Sequence, residues 1–100
     1  MSSHRHLLKL SPEAQKDFAS ILRYTGERWG RSQLLTYRDK LHGALMLLGG
    51  NPALGHPSAE LPATHRLYFV GSHVIVYRTR EEVTEVVRIL HQRMSIPRNV

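Results

Sequence analysis

The sequence predicts an α+β fold of β-α-α-β-β-β order, a helical hairpin packed on an antiparallel sheet, in one domain over residues 1–100. Three observations carry this. Apolar residues in the first half recur at helical spacing between clear start and stop signals. The last third is rich in Val, Ile, Tyr and Phe, which favour strands. Between them lies a stretch too broken by proline for regular structure. A chain of 100 residues can bury one modest core but not two.

The first element is a short strand at His6 to Leu10, where Leu7, Leu8 and Leu10 precede Ser11-Pro12-Glu13. Ser11 can cap a helix, Pro12 suits its first turn, and Glu13 complements the positive end of the helix dipole. Ala14, Phe18, Ile21, Leu22, Thr25 and Trp29 then share one face of a 3.6-residue period, and Gly30 offers a left-handed cap. Gly26 weakens the last turn by roughly 1 kcal/mol relative to alanine, enough to fray or bend it. A second helix runs from Arg31 or Ser32 to Leu48, with Leu34, Leu35, Leu41, Ala44, Leu45 and Leu48 in register, and Gly49-Gly50-Asn51-Pro52 stops it. The short connection at Gly30 makes the two helices an antiparallel hairpin.

The loop from Asn51 to Pro62 follows, with Leu54 and Leu61 as candidate anchors to the core. Strands are predicted at His65 to Val70, His73 to Thr79 and Val83 to His91. Gly71-Ser72 forms a type II′ turn between the first two, and Arg80-Glu81-Glu82 turns into the third. Runs such as Val74-Ile75-Val76-Tyr77 send apolar groups to both faces of the sheet. The helices cover one face. The other is predicted to lack a cover and so to meet a partner.

Fourteen Lys and Arg against eight Asp and Glu give a net charge of +6. The excess is +3 both from Met1 to His65 and from Arg66 to Val100, so it belongs to a folded surface and not to a basic tail. Nucleic acid, an anionic membrane surface or an acidic protein all fit that charge. Cysteine is absent, which excludes thiol catalysis, disulfides and cysteine-ligated metal. No stretch approaches the roughly 20 apolar residues of a membrane span, and no signal-type apolar core follows the N-terminus, so a cytoplasmic protein is expected.

His4 and His6 alternate, but no further ligand lies at metal-binding spacing, and no metal site or cofactor is expected. The densest chemistry is Arg88-Ile-Leu-His91-Gln92-Arg93-Met94, where His91 and Arg93 share a face if the strand continues. That pair suits acid–base work on a phosphate, or ordinary strand-end hydrogen bonding. Arg66, Arg78, Arg80 and Arg88 stud the strands with Tyr68, Phe69 and Tyr77 between them, without an RNA-binding motif of the glycine-and-aromatic type. Trp29 reads as an interface anchor or as the end of the core stripe. No phosphate-cradling glycine loop, catalytic carboxylate pair or Ser/His/Asp signature is present, which argues against a conventional enzyme.

Five segments in order resemble a known family: Leu10-Ser-Pro-Glu-Ala; Ile21-Leu-Arg-Tyr-Thr with Arg28-Trp-Gly; Gly50-Asn-Pro-Ala-Leu-Gly-His-Pro; Val74-Ile-Val-Tyr-Arg; and Val87-Arg-Ile-Leu-His-Gln-Arg-Met with Ile96-Pro-Arg. Together they resemble the ParE-type toxins of the ParE/RelE superfamily, found in type II toxin–antitoxin pairs. The resemblance implies a partner antitoxin whose flexible, acidic C-terminal segment wraps the toxin, and whose DNA-binding domain brings it indirectly to operator DNA. Phe18, Leu22, Trp29, Leu34 and Tyr37 on the hairpin, with Tyr68 and Tyr77 on the sheet, are the candidate antitoxin contacts.

It also implies DNA gyrase as the target, inhibited by protein binding, with Arg78, His91, Arg93 and Arg98 the candidate contacts. RelE-like relatives instead cleave messenger RNA on the ribosome. Under that alternative Arg66, Arg78, His91 and Arg93 would be catalytic, although no tyrosine follows Tyr77 to supply the usual aromatic hydroxyl. A third reading is a weakly toxic member acting only as antitoxin partner and co-repressor.

Overall fold

The computed structural model describes residues 7–100. Strand β1 (Leu7–Leu10) leads into helices α1 (Pro12–Trp29) and α2 (Arg31–Gly50), then strands β2 (His65–Val70), β3 (His73–Arg80) and β4 (Val83–His91), and a last helical turn, α3 (Ile96–Asn99). His4 and the first residue of the strand predicted from His6 lie outside the described residues.

The start signal works as its chemistry requires. The Ser11 hydroxyl accepts from the Ala14 amide at 3.0 Å and itself donates to the Val87 carbonyl at 2.7 Å. One side chain thus caps α1 and ties it to the sheet. Gly30 closes the hairpin at φ 93° and ψ 173°. That is a positive-φ, extended-ψ conformation open essentially to glycine alone, in place of the left-handed cap expected. Helix α1 runs unbroken through Gly26, where a Cβ would meet Leu34 Cδ1 at 2.7 Å. The glycine there is explained by close helix packing, not by fraying. Helix α2 continues two residues past Leu48 to Gly50 before Asn51, whose amide reaches the Leu47 and Leu48 carbonyls, ends it.

The sheet order is β1-β4-β3-β2. Strands β2, β3 and β4 form the expected antiparallel meander, but β1 joins it parallel to β4, so the sheet is mixed. A bulge at Val87 breaks the β3–β4 register: Tyr77 faces Val86, while Val76 faces Arg88. Beyond the bulge α1 takes over from β1 as neighbour of β4, with Asp17 accepting from the Ile89 amide at 2.9 Å.

The main core lies between the helices and one sheet face, around Leu41, Leu45, Leu48, Ile75, Tyr77, Val86 and Ile89. The expectation of an uncovered second face is corrected: Leu67, Val74, Val76 and Leu90 are buried there beneath Leu61 of the loop and Ile96 of α3. Two short pieces distant in sequence provide the cover that no predicted element offered. Leu61 anchors the loop, whereas Leu54 stays 40% exposed. The stronger fastening is polar. The Tyr77 hydroxyl donates to the Pro52 carbonyl at 2.7 Å and accepts from the Gly55 amide at 2.8 Å. Backbone bonds between His56 and Leu67 complete it. A Cβ on Gly55 would lie 2.6 Å from that hydroxyl, so only glycine fits.

Tyr77 is therefore corrected from an antitoxin contact to a core residue, since it exposes none of its surface. Arg88, on the edge of the second face, forms a mostly buried ion pair with Asp17 at 2.7 Å and donates through Nη1 to the Asn99 carbonyl. The Asp17 carboxylate raises its pKa above the ordinary arginine value. No helix among the described residues is long and apolar enough to cross a membrane.

Candidate functional site

A cleft of about 550 Å³ opens between the Gly30 end of the helical hairpin and the Gly71-Ser72 end of the sheet. Ile21, Tyr24, Thr25 and Trp29 of α1 form one wall, Gln33 and Tyr37 of α2 another, and Ser72, His73 and His91 the third. The size is that of ordinary ligand pockets. Trp29 is 66% exposed and Tyr24 61%, large values for such apolar groups beside a recess. Trp29 also carries the Arg28 guanidinium over its ring, 5.4 Å from the centroid. Trp29 thus extends the apolar stripe of α1 beyond the core and into the cleft.

The polar part of the cleft is a cluster of three rings. Tyr37 reaches across from α2, and its hydroxyl lies 2.6 Å from His73 Nδ1, 3.2 Å from the Ser72 amide and 3.4 Å from the Val70 carbonyl. The amide can only donate, so the hydroxyl accepts there. Its single proton goes either to His73 Nδ1 or to the Val70 carbonyl with His73 Nδ1–H donating back, so the hydroxyl couples its own proton to the tautomer of His73. His91 stands across the ladder from His73, with ring centroids 5.3 Å apart and planes at 79°. His91 Nδ1 accepts from the Arg93 amide at 3.1 Å, which fixes its proton on Nε2. His91 in that arrangement presents Nε2–H as its donor. Burial, then the charge of His91, lowers the His73 pKa, and burial raises that of Tyr37 despite the Ser72 amide.

This cluster exists because of the bulge. A regular register from the Glu81-Glu82 turn would set Leu90 opposite His73; the extra residue at Val87 puts His91 there instead. Sequence reasoning named His91 but passed over His73 and Tyr24, and named Tyr37 only as an antitoxin contact. The signal that could have found His73 was its place next to Gly71-Ser72, once a one-residue slip was allowed.

The remaining candidates are dispersed. Arg78 belongs to a row running Lys9, Glu85, Arg78, His65 across all four strands, and pairs with Glu85 at 2.8 Å. Burial, then the Arg78 charge, lowers the pKa of His65. Glu85 and His91 are separated along β4 by about 20 Å, at roughly 3.3 Å per residue. Arg66 spends its guanidinium on the Gly55 carbonyl at 2.8 Å. Arg93 and Arg98 are exposed on the segment after β4. The structure therefore joins His91 and Arg93 but not Arg66 or Arg78, and the four residues of the nuclease alternative do not form one site. Of the antitoxin candidates, Trp29 and Tyr37 line the cleft. Phe18 lines a second, apolar groove with Leu8, Leu10, Leu45 and Met46 at the β1 edge. Leu22, Leu34 and Tyr68 are half-buried and line neither. No group of three or more metal-ligating side chains converges among the described residues.

Residues 8–96 match the family model described as ParE toxin of type II toxin-antitoxin system, parDE. Toxin ParE1 of Mycobacterium tuberculosis strain H37Rv is 39% identical over 99 residues, 98% of this chain and 99% of the relative. Toxin ParE1 of Caulobacter vibrioides is 36% identical over 87% of this chain and 90% of its own length. Toxin ParE of Escherichia coli is 33% identical over 87% and 85% respectively. Among solved structures, a chain from the chromosomal ParDE system of P. aeruginosa superposes with a TM-score of 0.76 over 89% of this chain and 98% of that one. Its sequence identity is 16%, so that likeness speaks for the fold.

Proposed function

The chain belongs to the ParE toxin family of type II toxin–antitoxin systems, and on that premise we propose that it inhibits DNA gyrase by binding it and is neutralised by a cognate antitoxin. The observation that favours binding over RNA cleavage is the separation of the cations. Arg66 and Arg78, each engaged with an internal acceptor, lie far along the strands from His91 and cannot act with it on one phosphate. His91, Arg93 and Arg98, at and beyond the end of β4, are the target contacts in this reading, and Arg78 is not needed. The antitoxin's acidic segment lies over the cleft and reaches the half-buried side chains of Leu22, Leu34 and Tyr68. It orders on binding to a toxin of net charge +6, and through its DNA-binding domain carries the toxin to the operator. Occupation of the cleft covers His91, so neutralisation is steric.

Supercoiling and DNA-cleavage assays with purified gyrase test this directly. Trapped cleavage complexes are expected with the native protein and their loss with the His91→Ala/Arg93→Ala double variant. No effect of the native protein on gyrase overturns it. One observation favours the second reading, a ribosome-dependent endoribonuclease: Tyr37 supplies beside His73 and His91 the aromatic hydroxyl that the C-terminal sequence lacks. Cleaved message before any DNA break in cells expressing the protein would establish it.

A further inference from the structure

We infer that the cleft beside His73 and His91 is the anchor point for the acidic segment, taking an apolar side chain against Tyr24 and Trp29 and a carboxylate on the His91 imidazole N–H. This rests on the reading that the chain binds an acidic partner segment, and it specifies where and by what chemistry.

Charge complementarity decides the occupant. Among the described residues no acidic side chain lines the cleft. The Arg93 amide holds His91 as an Nε2–H donor, so the position calls for an acceptor, and an anionic one binds most strongly. Arg28 over Trp29 adds a positive charge at the rim. The remaining wall is more apolar than polar, Ile21, Tyr24 and Trp29 standing beside Ser20, Thr25, Gln33 and Ser72, which suits an amphipathic side chain more than a hydrated ion. A nucleic-acid strand needs cations flanking the stacking surface to follow its phosphates. Here Arg28 and Arg93 stand singly beside the cleft, and Lys9, Arg78 and Arg80 lie with Glu81 and Glu85 around a separate depression at the far end of the sheet, on its other face. An acidic peptide fits both the donor and the apolar part of the wall.

The test uses the full chain with labelled histidine and nitrogen-detected NMR of the imidazoles. The probes are a short end-blocked peptide of alternating leucine and glutamate, its glutamine counterpart and oligodeoxythymidylate. The glutamate peptide is expected to shift the His91 Nε2–H resonance, and the glutamine peptide to bind about tenfold more weakly, the loss of one charged hydrogen bond. His91→Phe should abolish the preference for glutamate, and His91→Gln, which keeps an N–H donor, should restore part of it. Equal binding of the two peptides, no shift at the His91 imidazole, or displacement of the peptide by the oligonucleotide overturns the inference. Failure here leaves the gyrase assay and rescue of growth by a co-expressed antitoxin unaffected, so the two readings fail separately.

Discussion

The two faces of the sheet are buried to similar depth by different means. On one, two long helices lay an apolar stripe over Ile75, Val86 and Ile89. On the other, Val74, Val76 and Leu90 are closed off by a loop and a four-residue helical turn, each contributing one apolar side chain. The first face is secured by repeated apolar contact. The second depends on polar fastenings at its rim: the Tyr77 hydroxyl on the loop, and Arg88 holding α3 while paired to Asp17. Equal burial therefore does not mean equal tolerance of change, because one face loses stability by degrees and the other can lose its cover as a unit.

Substitutions on the two sides separate these modes. Leu48→Ala, in the helix-covered core, should cost about 2–5 kcal/mol in denaturant unfolding while leaving the transition cooperative. Asp17→Ala should cost about 2–4 kcal/mol, since it strands Arg88 and the Ile89 amide together. It should also speed hydrogen exchange in 96–99, and unchanged exchange there would show that α3 is held by Ile96 alone. Tyr77→Phe keeps the ring but unties the loop. A loss of about 1–3 kcal/mol is expected, with new protease cleavage within 51–62 before global unfolding. Ile96→Ala should cost about 1 kcal/mol, the smallest of the set, because the side chain is only partly buried.

Acidification sharpens the same contrast. The folded state holds the His73 and His65 pKa values below the ordinary 6.5, by burial in both cases. The unfolded chain therefore takes up protons first, and the stability these residues contribute is full above about pH 6.5 and falls as the pH drops towards their folded pKa values. Unfolding midpoints measured at steps from pH 7.5 to 5.5 should decline, and His73→Phe, which cannot titrate, should flatten the slope; an unchanged slope would remove His73 from the account.

What was legible in the sequence follows the same division. Helices α1 and α2 could be read because Ser11-Pro12 and Gly30 mark their ends and the apolar spacing marks their buried face. The meander could be read because Gly71-Ser72 fixes one turn. The covers of the second face could not, since Leu61 and Ile96 are single apolar residues in stretches without periodicity, and only the folded sheet gives them a surface to meet. The cluster in the cleft was half legible. His91 stood out among arginines, whereas its pairing with His73 depends on an extra residue at Val87 that no residue type announces. Tyr77 misled for a related reason: an aromatic residue in a strand looks the same from the sequence whether it faces a partner or a backbone carbonyl.

The pairing of the first strand with the last has a consequence for synthesis. Strand β4 lies in the interior of the sheet between β1 and β3, yet it leaves the ribosome after the other three. Until it emerges β1 has no neighbour, Asp17 no arginine and His73 no opposing ring. A message that ends before Val83 therefore yields a chain with neither a completed sheet nor a formed cleft. The capacity to engage another protein through that surface arises only once translation has passed His91.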